Sequence, residues 1–126
     1  MVMPGPAAFL VALTLVAAFA CRGTRGLTGL EFRITGHGTE EPGAFCADFR
    51  LTDDEARQFF QRASQVTEKQ LHDEYDWLPC YVEGTRTEPG GRVTHWRVRA
   101  GGTAEIKAPE GVISYLGCKT CDDLLK

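Results

Sequence analysis

The chain has 126 residues, with 14 Lys or Arg against 17 Asp or Glu, a net charge of −3. That balance argues against a nucleic-acid partner, which would call for a basic stripe, and no run of five like charges supplies a charged tail. The length accommodates one domain beside a leader, and is too short for two.

Residues 1–20 read as a secretory signal peptide. Ala7 to Ala20 (AAFLVALTLVAAFA) is an apolar run of 14 residues interrupted only by the hydroxyl of Thr14. It falls short of the roughly 20 residues a membrane span needs, and it lacks the polar face of a core helix. Ala18-Phe19-Ala20 supplies a small-x-small cleavage pattern. Removing the leader leaves 106 residues. The leader itself has no Lys or Arg, whereas Arg22 and Arg25 follow the run. Under the positive-inside rule that asymmetry is the pattern of an inverted anchor with a cytoplasmic domain, so export and inverted anchoring both stay open here.

Ala18-Phe19-Ala20-Cys21 resembles the lipobox of bacterial lipoprotein precursors. The resemblance implies that Cys21 becomes the lipid-modified first residue of the mature protein. Arg22 in place of Asp implies no retention in the inner membrane, hence a periplasmic domain tethered to the outer membrane. The alternative is an ordinary cleavage site with Cys21 as a plain thiol. Residues 21–29, polar and Gly-rich, read as the tether, and 30–126 as a single domain.

An odd count of five cysteines in an exported chain leaves one unpaired. If Cys21 takes lipid, Cys46, Cys80, Cys118 and Cys121 remain and can form two bridges. Three pairings are open to them. We expect Cys118–Cys121 with Cys46–Cys80, although spacing alone does not choose.

Along the domain, Leu30 to Ile34 alternates apolar and charged residues, the period of a half-buried strand. Gly36 to Gly43 reads as a loop from its glycines and proline. Phe45 to Leu51 reads as a second short strand. Thr52 and Glu55 form a capping box, with Leu51 and Ala56 placed as a hydrophobic staple. Ala56, Phe59, Phe60, Ala63 and Val66 recur at helical spacing, so a helix is expected over about 53–66. Thr67-Glu68-Lys69-Gln70 is a second cap at which the chain either restarts a helix or continues the first. Leu78, Cys80 and Val82 then share one side of a strand, and Arg86 to Gly91 is a hairpin loop. Val93 to Arg99 is a strand with Trp96 and Val98 on one face. Gly101-Gly102 turns into a strand over Thr103 to Lys107, and Pro109 to Gly111 turns into one over Val112 to Leu116. The expected class is α+β: an antiparallel meander with one main helix packed on one face, stabilised by disulfides.

The chemistry-bearing residues are few. Cys118-Lys119-Thr120-Cys121 has redox spacing, but a thioredoxin-like site needs a long helix and more sheet after the motif, and the acids Asp122 and Asp123 oppose a thiolate. A thiol-redox role is therefore disfavoured and a structural bridge expected. A four-thiolate zinc site would normally use two close pairs, and only one exists. His37, His72 and His95 are scattered, and Asp53, Asp54 and Glu55 belong to the helix cap. Neither a nucleophile elbow nor a phosphate loop is present. No cofactor, metal or catalytic constellation is therefore expected. The expectation is a non-enzymatic domain that binds a protein. Alternation places His95, Arg97 and Arg99 opposite Trp96 and Val98, where they would form an outward basic stripe for an acidic partner. Trp96 to Thr103, with Leu116 to Cys118 and Cys121 to Leu124, also resembles small exported proteins encoded beside secreted antibacterial effectors. That resemblance implies an immunity protein that binds and neutralises such an effector.

Overall fold

The computed structural model describes Met3 and residues 29–126. The rest of the leader, Cys21 and all of the tether before Gly29 lie outside them. The described chain runs β1 (Glu31–Thr39), α1 (Asp53–Arg62), β2 (Ser64–Val66), α2 (Glu68–Glu74), β3 (Cys80–Thr87), β4 (Val93–Arg99), β5 (Thr103–Lys107) and β6 (Ile113–Gly117). The six strands form one antiparallel sheet in the order β1-β3-β4-β5-β6-β2. Strands β3 to β6 are the expected meander. β1 and β2 close its two edges, and α1 carries the chain from one edge to the other.

Helix α1 forms where its capping box says it should. Thr52 Oγ1 accepts from the Glu55 amide at 3.1 Å, and Glu55 Oε1 accepts from the Thr52 amide at 3.0 Å. Asp53 extends the cap outward: its Oδ1 accepts from the Ile34 amide of β1 at 2.9 Å. This ties the helix start to the edge strand and occupies one of the edge donors that would otherwise invite another chain. The helix buries Ala56, Phe59 and Phe60 against the sheet. Phe60 stacks on Phe32 at 5.4 Å between centroids and meets Trp96 edge-on at 5.5 Å. Val82, Val98, Ala104 and Ile106 continue the same face of the sheet, and Phe49 and Leu51 pack beside the helix. Each of the Val, Leu, Ile and Phe side chains among them stabilises the fold by roughly 1.5–3 kcal/mol relative to exposure.

Both expected disulfides are present, Cys46–Cys80 and Cys118–Cys121. The first staples the 40–51 segment to the start of β3. The second shapes a C-terminal segment that lies under the end of α1. There Cys118, Cys121 and Leu124 are buried, and the Arg62 guanidinium donates to Thr120 O and Asp123 Oδ1.

The structure corrects three element assignments, the helix over 53–66, the loop over 36–43 and the strand over 45–51, and decides between the two readings of Thr67 to Gln70. α1 stops at Arg62, because Ala63 is extended and its amide closes the last turn on Phe59 O. Ser64–Val66 then pairs with Tyr115–Gly117 as β2. Thr67 and Gln70 do form a second capping box, so the chain restarts as α2. β1 continues through the glycines to Thr39, with a register shift between Ile34 and Gly36. Phe45 to Leu51 forms turns rather than a strand, anchored by Cys46 and by burial of Phe49 and Leu51.

Candidate functional site

The core face of the sheet lies under α1. Alternation sends the other set of side chains to the opposite face, which carries the candidate site. One row across it runs Glu83, Arg97, Glu105, Tyr115, set by the pairings of β3 with β4, β4 with β5 and β5 with β6. The next row brings Tyr81 opposite Arg99. His95, Arg97 and Arg99 do lie opposite Trp96 and Val98, which are 2% and 0% exposed.

The basic stripe is nevertheless not bare. Glu40, in the loop after β1, reaches over the face and accepts from Arg99 Nη2 at 2.7 Å, from Arg99 Nε at 3.1 Å and from Arg97 Nη1 at 3.1 Å. Arg97 Nη2 also donates to Glu83 at 2.8 Å, and Arg99 Nη2 to Glu105 at 3.2 Å. Three glutamates thus neutralise two arginines, and the network carries one net negative charge. The Arg97 guanidinium carbon stands 3.8 Å from the Tyr81 ring centroid, adding a cation–π contact. The Arg99 side chain is 13% exposed and that of Glu40 21%. The expectation of a solvated stripe awaiting an acidic partner is therefore corrected: its acids come from the same chain. Hydrogen bonding from Arg99 first, and then from Arg97, holds the Glu40 carboxyl below its ordinary range against the opposing effect of burial. His95 remains exposed at one end of the stripe.

Beside this network the face becomes concave. α2 and the segment after it rise next to β6 and enclose a cleft of about 580 Å³ whose lining includes His72, Tyr75, Trp77, Arg99, Glu105 and Tyr115. None of the seven residues of α2 is fully buried, and Leu71 is half-buried at the cleft. The Tyr75 ring occupies the space a side chain would need at Gly117. Lys119 Nζ lies 5.5 Å from that ring and 3.9 Å from Glu74. Trp77 is 60% exposed at the cleft. A shallower hollow of about 330 Å³ continues along the same face past Glu83, His95, Arg97 and Lys107. The result is a surface of fixed ion pairs flanked by aromatic side chains, suited to holding a ligand by stacking and by hydrogen bonds. The sequence reading missed Tyr75, Trp77 and Tyr115 as part of this site. Alternation along β5 and β6 signalled Tyr115, but nothing local signalled that α2 would fold back beside it.

The cysteines read differently. Cys118 and Cys121 are 4% and 0% exposed, so their bridge is packed into the core, away from any external thiol. Cys46–Cys80 lies at the edge of the core, with Cys80 Sγ 3.7 Å from the carbonyl oxygen of Phe45, whose side chain is fully exposed. His37 and His72 are exposed and apart from His95, with His72 Nδ1 3.2 Å from Asp73. Among the described residues no group of three or more His, Cys, Asp or Glu is placed to hold a metal.

No family model matches the chain, and neither the curated proteins nor the solved structures contain a significant match to it.

Proposed function

We propose that this chain is an exported, lipid-anchored domain facing the periplasm that binds a protein partner through its open sheet face, without turnover. The observation that supports the binding site is the cleft beside α2, where an exposed Trp77 stands with Tyr75, Tyr115 and Arg99 over a sheet whose other face is filled by α1. Trp, Tyr and Arg dominate binding hot spots because they bring large area with little conformational freedom to lose. The Glu40–Arg99–Arg97 network holds its arginines in place before a partner arrives, which lowers the ordering cost of binding. Two disulfides fit an oxidising compartment, and the Ala-Phe-Ala-Cys21 pattern supports tethering there.

Two measurements test this reading. Intact mass of the membrane-fraction protein should give a chain that begins at lipid-modified Cys21. A full-length cytoplasmic protein overturns the export half. Crosslinking in intact cells from a photoreactive residue at position 77 should trap a discrete protein adduct. A second photoreactive residue at Arg33, exposed on the outer part of β1, should not. Equal labelling from both positions overturns the cleft.

A further inference from the structure

A third concavity, of about 350 Å³, opens on the core side of the sheet beyond the reach of α1, between the β3–β4 and β5–β6 loops. Its volume is at the lower end of the range for small-molecule sites. Its chemistry is unlike that of the open face. The floor and wall are Thr94, Ile106, Ala108 and Val112. The rim is a clamp between the two loops: Arg92 Nη2 donates to both carboxylate oxygens of Glu110, at 2.7 and 3.0 Å. Arg86 lies inside this rim.

Arg86 is the unusual residue. It pairs with Thr94 across the β3–β4 ladder and with Phe32 across the β1–β3 ladder, so its side chain belongs to the core face. Its Nε is shielded from solvent and has no hydrogen-bond partner among the described residues. Nor does any described carboxylate lie within 4 Å of its guanidinium, in contrast to Arg92, Arg97 and Arg99. Burial lowers the guanidinium's pKa, partly offset by Glu88 nearby, while Arg92 adds to the repulsion. An arginine stays protonated regardless, so a half-buried positive charge stands without a bonded partner beside an apolar hollow. The planar fork of a guanidinium matches a carboxylate two bonds at a time, and the apolar wall matches a hydrocarbon body.

We propose that this cavity binds a small free carboxylic acid with a short aliphatic body, its carboxylate paired with Arg86 and its chain laid on Ile106, Ala108 and Val112. The Glu88 carboxylate is near enough to compete with that ligand, yet does not itself bond to Arg86. The site stands on the opposite side of the sheet from the open-face cleft, and its test is independent of that reading.

The experiment is a titration of the ¹⁵N-labelled protein with hexanoate, following the Arg86 Nε–Hε cross-peak. The expected result is a saturable shift with a Kd of about 1 mM or tighter. Hexanol, with the same chain and no charge, should bind at least about ten-fold more weakly, the difference one charge-assisted bond makes. Arg86→Met should lose hexanoate binding while keeping a dispersed, folded spectrum. Glu88→Gln should tighten binding several-fold, since the competing charge is gone. A tripeptide ending in leucine, offering the same carboxylate on a bulkier body, should bind more weakly than hexanoate because the Arg92–Glu110 clamp narrows the rim. Absence of a saturable shift in both the wild-type protein and Glu88→Gln overturns the proposal. So does equal affinity for hexanol, and so does binding that survives Arg86→Met. Tighter binding of the tripeptide overturns the assignment to a free acid.

Discussion

Replacing Glu40 with Gln should expose how much the open face depends on its internal ion network. Glu40 accepts from both Arg97 and Arg99, with distances between 2.7 and 3.2 Å. The substitution keeps the shape, removes the charge and turns one acceptor into a donor that faces two guanidinium groups. A fully exposed pair would lose about 0–1 kcal/mol, and breaking a fully buried one costs about 3–5 kcal/mol. With Glu40 and Arg99 only 21% and 13% exposed, the cost should fall between these limits, at about 2 kcal/mol. Urea unfolding of both proteins at neutral pH should show a lower midpoint with an unchanged slope. The pH dependence supplies a second reading. A carboxyl held below its ordinary pKa stabilises the fold above its unfolded value, about 4.3, and that stabilisation is lost as pH falls through the folded value. Below it, protonated Glu40 resembles the glutamine, so the two midpoints should converge in acid. Other shifted acids, such as Asp123, are common to both proteins and cancel. A difference under about 0.5 kcal/mol at neutral pH, the scatter of an ordinary surface change, would refute the network's role, and a difference that persists unchanged in acid would refute its electrostatic origin.

Phe59→Ala should cost about 3–5 kcal/mol, because Phe59 is fully buried under α1, whereas Thr52→Ala should cost about 1 kcal/mol through loss of the cap bond. Denaturant midpoints check both, and equal costs would contradict the division between core and cap. Replacing Cys46 and Cys80 together by serine should destabilise by about 3–4 kcal/mol on the chain-entropy model, since the bridge spans 34 residues. Calorimetry under non-reducing conditions measures it, and an unchanged melting temperature would mean the 40–51 segment is held by Phe49 and Leu51 alone.

How much of this was legible in the sequence depends on how local the signal was. Both capping boxes were readable because cap and partner lie three residues apart and the chemistry is closed within that window. The meander was readable because β4 and β5 alternate cleanly between turns marked by glycine and proline. β2 was not, because Ser64-Gln65-Val66 has little strand character of its own and is extended through pairing with β6. The Gly36 to Thr39 stretch was mistaken for a loop because glycine usually punctuates. Here a side chain at Gly38 would stand 2.8 Å from Tyr81 Oη, so the glycine leaves room for the neighbouring strand's ring. The candidate site was half legible. Alternation assigned His95, Arg97 and Arg99 to a face, but the carboxylate that neutralises the arginines comes from Glu40, more than fifty residues earlier. No periodicity connects such positions, so charge on a strand face predicted orientation and not net potential.

The sheet order has a consequence for how the chain is made. β1 and β2, the two strands of the first half, never touch; each waits for a strand from the second half, β1 for β3 and β2 for β6. While the chain emerges in order, residues 29–79 thus have two capped helices and two strands with nothing to zip against. The sheet can close only after Gly117 has appeared, and the core gains its floor only when Cys121 and Leu124 arrive. Assembly is postponed to the end of synthesis by topology alone. If the chain is exported as proposed, such a delay would keep it in the extended form that threading requires until nearly all of it has been made.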